Sequence, residues 1–253
     1  MSNSPLVDYT CISPNRSSPR TRAIDTVTIH CVVGQCTVET LGNIFASPSR
    51  QASSNYGIGK DGKIGLYVEE KDRSWCSGGY DANGNSIRVN GISGADNDQR
   101  AITIEVASDT TDPYTITDAA YEGLIRLLVD ICKRNPGISR LRWQGDKSLV
   151  GQTDKQNMTV HRWFARKACP GDYLYSHHAA IAAEVNRRLD REEGKEDNAV
   201  KEWWEEPLAW AKENGIIYGD ANGNLKLDEP CTRRQMITFL YRLYKLLVKK
   251  LGG

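Results

Sequence analysis

Two histidines and one cysteine in this chain are residue types that share a chemistry. His30 follows Thr28-Ile, His161 opens the run His161-Arg-Trp-Phe-Ala-Arg-Lys167-Ala-Cys169, and Cys169 precedes Pro170-Gly171. Imidazole and thiolate both ligate zinc. Three protein ligands leave one tetrahedral position open, which is the arrangement of a catalytic rather than a structural site. Glu105, within Ile102-Thr-Ile-Glu-Val106, adds a carboxylate that can accept a proton. Each residue also has a plainer reading. A strand-end histidine is commonly a hydrogen-bonded residue, a strand glutamate a solvated or ion-paired one, and Cys-Pro-Gly a turn.

These side chains meet only if the elements carrying them are adjacent. Ile24–Val33 alternates, with Val27 and Ile29 on one face and Thr26, Thr28 and His30 on the other. Ala101–Ala107 repeats the pattern, so Glu105, like His30, is expected on the polar face of a strand. Asp61-Gly62 between β-rich runs predicts a hairpin with φ > 0 at both turn positions. From Thr117, a plausible N-cap, Ala120, Leu124, Leu127, Leu128 and Ile131 recur at helical spacing until Asn135-Pro136-Gly137 stops the run. Strands interleaved with an amphipathic helix indicate an α/β domain over residues 20–190.

Composition sets limits. With 39% hydrophobic residues the chain can build a core, and 33 basic against 32 acidic residues leave a net charge of +1. No global field is available for nucleic acid or an anionic membrane, so neither is an expected partner. No apolar run reaches the roughly 18 residues of a membrane span. Met1–Thr10 lacks a basic segment followed by an apolar one, so the expectation is synthesis in the cytoplasm without a signal peptide. Seven cysteines at irregular spacing argue against a disulfide scaffold, with a Cys31 to Cys36 bridge left open. His177 and His178 are helix neighbours pointing in different directions, which favours a surface or packing role over chelation.

Residues 190–200 are charged and turn-forming and read as a linker between residues 1–189 and a small all-α module over 201–253, the alternative being a solvated extension of a helix over Ala179–Leu189. In that module a short helix is closed by Asn214-Gly215. A second begins at Thr232-Arg-Arg-Gln235, a capping-box pattern, with Met236, Phe239, Leu240, Leu243 and Leu247 on one face. So short a unit buries little, so it is expected to pack on the larger domain or to self-associate into a homo-oligomer.

Four segments stand in register: Thr28-Ile-His30, Ser53-Ser-Asn-Tyr-Gly-Ile-Gly-Lys-Asp-Gly-Lys-Ile64, Ile102–Val106 and His161…Cys169-Pro-Gly171. Together they resemble the type 2 N-acetylmuramoyl-L-alanine amidases, whose fold is shared with peptidoglycan recognition proteins and many phage lysins. The resemblance implies a mixed β-sheet flanked by helices, one zinc ion on His30, His161 and Cys169, and hydrolysis of the muramoyl-alanine amide of peptidoglycan. It assigns Glu105 as proton acceptor, Lys167 to the oxyanion and the Tyr56 hydroxyl to the scissile bond, although Asn55 stands where the family often has histidine. Trp75 and Trp163 are candidates for lining the groove. A related branch that recycles wall fragments carries aspartate at the third ligand position, so Cys169 implies the lytic branch, acting on the wall after release as a phage or prophage endolysin. A non-hydrolytic peptidoglycan-binding protein and a bacterial autolysin are the alternatives.

Residues 202–247 resemble one S-layer homology repeat. That resemblance implies binding of a secondary cell-wall polymer near Arg233, in a single copy rather than the usual three and with Cys231 before the threonine.

Overall fold

The computed structural model describes residues 2–192, 205–220, 224–227 and 230–251. The chain divides into two compact units, residues 1–194 and 195–253.

In the first unit a six-stranded sheet is built from β1 (Tyr9–Thr10), β2 (Thr26–Val33), β3 (Tyr56–Ile58), β4 (Ile64–Leu66), β5 (Ala101–Ser108) and β6 (Met158–Thr159). The spatial order is β1-β4-β3-β5-β2-β6. Only the β3–β4 hairpin is antiparallel; every other pair is parallel, so the sheet is mixed. The two longest strands, β2 and β5, are central and pair over their full length, with His30 opposite Glu105. At the hairpin only Gly62 takes positive φ, at 79°, and not Asp61 as well. Glycine is required there twice over, since a Cβ would lie 2.4 Å from the Ala119 carbonyl oxygen.

Helices α1 (Val38–Ala46), α2 (Gly94–Arg100), α3 (Asp118–Arg134) and α4 (Gly171–Glu192) flank the sheet. Thr117 caps α3 by accepting from the Ala120 N–H, as the sequence predicts. α3 and α4 supply Leu124, Leu127, Leu128, Ile131, Ile181 and Val185 to a core closed by Val27, Ile29, Ile102 and Ile104 from the sheet. α4 continues to Glu192, so the first residues of the expected linker are helical, while 193–200 lie outside the described residues.

The polar strand face is not solvated either. Thr28, Thr103 and Thr159 are buried, and hydrogen bonds replace water. Thr28 Oγ1 and Thr159 Oγ1 are 2.7 Å apart, and the Asn97 side chain donates to the first and accepts from the second. Beside them the buried Arg20 guanidinium donates to the carbonyls of Glu70, Asp72, Asp98, Gln99 and Ala101. One side chain thereby ties the 70–72 and 98–101 segments together at the start of central strand β5.

The second unit holds α5 (Glu205–Glu213) and α6 (Arg233–Leu251), with Trp203 and Trp204 outside the described residues. Gly215 follows α5 with φ of 64°, and Thr232 and Gln235 form the capping box expected of α6. Phe239 and Leu243 are half-buried, but Met236, Leu240 and Leu247 of the expected apolar stripe are about half exposed. No described helix is long and apolar enough to cross a membrane.

On α4, His178 is fully buried. Its Nδ1–H donates to the Leu174 carbonyl at 2.6 Å and its ring lies 4.5 Å from that of Trp143, while Nε2 has no partner. Burial lowers its pKa to about 4. The neutral ring is thus favoured in the fold, and protonation favours the unfolded chain. Stability from this residue is complete above pH 6.5 and falls as pH drops toward 4, by up to roughly 3 kcal/mol. Unfolding free energies measured across that window should fall more steeply for the native protein than for His178→Gln; parallel curves would refute the assignment.

Candidate metal centre

His30 sits near the C-terminal end of β2, completely buried. His161 opens a short 3-10 turn directly after β6, and Cys169 precedes the cis Pro170 that leads into α4. Parallel strands thus deliver the two histidines to the same end of the sheet, and the start of α4 brings the sulfur. His30 Nδ1 is 3.4 Å from Cys169 Sγ, the two imidazole centroids are 5.1 Å apart, and one donor atom from each of the three residues lies within 4.8 Å of the others.

The remaining ring nitrogens are engaged elsewhere. His30 Nε2 is 3.4 Å from Ser77 Oγ, and His161 Nε2 is 3.4 Å from the Gly78 carbonyl. Such partners orient an imidazole and leave Nδ1 for an ion. Burial lowers the pKa of both rings, most for His30, which favours the neutral form that ligation needs. The Cys31 thiol alongside, and then burial, push the Cys169 thiol up. Two neutral imidazoles and one thiol suit a borderline-soft divalent ion with an open position.

Glu105 projects from β5 beside His30. Burial, then Cys31, raises its pKa to about 8; Oε1 receives a weak S–H contact from Cys76 at 3.7 Å, and Oε2 is buried without a partner. An open cavity of about 590 Å³ is lined by Glu105, His161, Lys167, Cys76, Trp75 and Arg50 among others. Lys167 is exposed at its rim.

Other expected residues fall elsewhere. Tyr56 does not reach this cavity. It pairs with Ile104, one residue out of phase with Glu105, so its side chain enters the core. There its hydroxyl donates to Glu70 Oε1 at 2.6 Å and accepts from the Ser4 N–H at 2.8 Å. The expectation that it faces a scissile bond is corrected on that ground. Trp163 is buried and stacked on Trp143 at 5.3 Å, so of the two tryptophans only Trp75 lines the cavity. All seven cysteines are free, including Cys31 and Cys36.

Cys76, whose spacing in the sequence suggests only a small buried hydrophobe, and Ser77 stand at the site. They lie in a loop without periodicity or paired spacing, and only the fold brings them to His30 and Glu105. In the second unit a separate cavity of about 460 Å³ is lined by Tyr218, Asp220, Arg234 and Arg242 among others. Arg233, the first residue of α6, is exposed and is not among the described residues lining it.

Comparison with known proteins follows the same division of the chain. The family model for N-acetylmuramoyl-L-alanine amidase matches residues 20–172, and that for the S-layer homology domain matches residues 199–237. Among solved structures the chain is similar to a selenomethionine derivative of AmpD, at 21% identity, covering 70% of this chain and 95% of that one, with a TM-score of 0.47. It is also similar to the endolysin N-acetylmuramoyl-L-alanine amidase LysCS from Clostridium intestinale URNW, at 16% identity with 74% and 99% covered and a TM-score of 0.41. A mutant endolysin from Bacillus subtilis gives 14%, 71%, 99% and 0.43. No curated protein sequence matches.

The placement of Tyr56 has a direct consequence. Tyr56→Phe removes a buried hydroxyl from Glu70 and Ser4 and should cost about 1–2 kcal/mol in denaturant unfolding. The folded variant should keep its activity; a loss of turnover at native stability would return Tyr56 to the site.

Proposed function

The chain belongs to the N-acetylmuramoyl-L-alanine amidase family, and from that premise we propose that it is a zinc enzyme whose site is His30, His161, Cys169, Glu105 and Lys167. Its substrate is peptidoglycan, and its S-layer homology segment associates it with the cell wall. The observation that carries the zinc reading is the convergence of two imidazoles and a thiol to within 4.8 Å beside a carboxylate with an unpartnered oxygen.

Zinc in that group would supply Lewis acidity to the lactyl carbonyl and to the attacking water. The protein residues do the rest. Glu105, with Oε2 free and its carboxyl held in a neutral-tending environment, accepts the water proton and returns it to the departing amine. Lys167, at the rim of the same cavity, presents its ammonium to the oxyanion of the tetrahedral intermediate. Trp75, fixed by its Nε1–H donating to Ser17 Oγ at 3.0 Å, offers a face to the glycan or stem peptide.

Cys169 at the third ligand position favours a lytic role over recycling of wall fragments, and the reading extends to a phage or prophage endolysin. A bacterial autolysin would use the same residues; a holin gene adjacent to this one supports the endolysin, and its absence favours the autolysin. Residues 1–189 form the catalytic domain in this reading, and 201–253 a wall-associated module.

The module also self-associates in this reading. Ile237, Leu240, Tyr244 and Leu247 recur on α6 at spacings of three and four, and each is about half exposed or more. That is the a/d pattern of a helix seam, and a second copy of the chain carries a matching one.

Two measurements test these assignments. Metal analysis and turbidity loss of Gram-positive walls should show Cys169→Ser losing zinc and activity together. Glu105→Ala should keep zinc and lose about 10²-fold or more of its turnover. Full activity in Glu105→Ala would remove the proton-accepting role. For the module, light scattering should find an oligomer that Leu240→Glu converts to monomer; a monomeric native chain defeats the self-association.

A further inference from the structure

Cys76 has no role in the hydrolysis just described, yet its surroundings are those of a ligand. Its Sγ is 3.7 Å from Glu105 Oε1, and one donor atom from each of His30, Cys76 and Glu105 lies within 4.8 Å of the others. That is the same limit met by His30, His161 and Cys169. Glu105 Oε2 is buried beside it with no hydrogen-bond partner. The thiol lines the same cavity as Glu105, so an ion from solvent can reach the pair.

The loop carrying Cys76 is held in place. The Cys76 and Ser77 N–H groups both donate to Asp98 Oδ2 at 2.9 Å, and the Trp75 N–H donates to Ser53 Oγ at 3.0 Å. The sulfur therefore stands next to the carboxylate by construction. In a tetrahedral zinc site, bonds of about 2.3 Å to sulfur and about 2.1 Å to oxygen put those two atoms roughly 3.6 Å apart. The separation found between Cys76 and Glu105 already matches it.

We propose that Cys76 and Glu105, with His30 alongside, form a second site for a thiophilic divalent cation, and that filling it inhibits the enzyme. The proposal rests on Glu105 being the proton acceptor. On binding, the Cys76 thiol releases its proton to solvent as the sulfur-metal bond forms, and one carboxylate oxygen completes the contact. No electron is transferred. The thiolate and carboxylate balance the charge of the ion, and the committed carboxylate can no longer take a proton from water. Zinc and cadmium suit a sulfur-containing donor set, whereas magnesium and calcium prefer oxygen alone. Because His30 turns Nδ1 toward Cys169, its Nε2 near Ser77 carries the ring proton and stays beside the second ion without binding it, so that ion is held by Cys76 and Glu105 alone and more weakly than the first.

Equilibrium dialysis of the full chain against Zn2+, and separately Cd2+, tests this, with metal counted per chain and wall lysis followed in parallel. The native protein should take up a second equivalent at least tenfold more weakly than the first, losing activity as it fills. Cys76→Ser should keep the first equivalent, which also reports that it is folded, and weaken the second at least tenfold. Cadmium adds a direct readout, since its ultraviolet thiolate band should grow in two steps in the native protein and one in Cys76→Ser. The other cysteines are common to both proteins and cancel in the comparison. A native protein that stops at one equivalent, or a Cys76→Ser protein with unchanged second binding, overturns the proposal. Failure of the first equivalent to depend on Cys169 would instead overturn the zinc assignment, so the two readings fail separately.

Discussion

The candidate metal group is anchored by one pairing: two parallel central strands in a register that sets His30 opposite Glu105. Side chains alternate along a strand with a period of two, so a slip of one residue would turn one of this pair into the core and leave the other behind. The register is secured by apolar residues on the opposite face. Val27 and Ile29 interleave with Ile102 and Ile104 and are closed over by α3 and α4. The core's demand for those four residues is therefore also what aims the imidazole and the carboxylate.

The face that carries the chemistry obeys a different constraint. It is buried as well, so each polar group needs a protein partner or is left at a cost. Threonine, serine and asparagine side chains satisfy one another beneath the site, and Arg20 takes up backbone carbonyls at its edge. Against that background the unpartnered oxygen of Glu105 stands at the cavity. Burial, then Cys31, raises its pKa to about 8, which sets it apart from the hydrogen-bonded side chains beneath it.

The second unit illustrates how little two helices can bury. α5 and α6 satisfy their local rules, with a glycine terminator and a capping box, while several large apolar side chains on α6 are exposed. Local codes set where such helices begin and end, but covering an apolar face depends on elements distant in the chain.

Residue order alone determined much of this protein. Strand alternation around His30 and Glu105, the Thr117 cap, the glycine at the hairpin and the capping box at Thr232 are local patterns, set by backbone geometry within a few residues. The family motifs in register also identified the three candidate ligands. Only the tertiary structure decided what depends on distant chain segments meeting. It turned Tyr56 into the core, because strand phase and not residue type chooses the face. It stacked Trp163 on Trp143, and it brought Cys76 from an aperiodic loop to within 3.7 Å of Glu105. Contacts of that kind carry no sequence period, since they arise from how the sheet and its loops are packed.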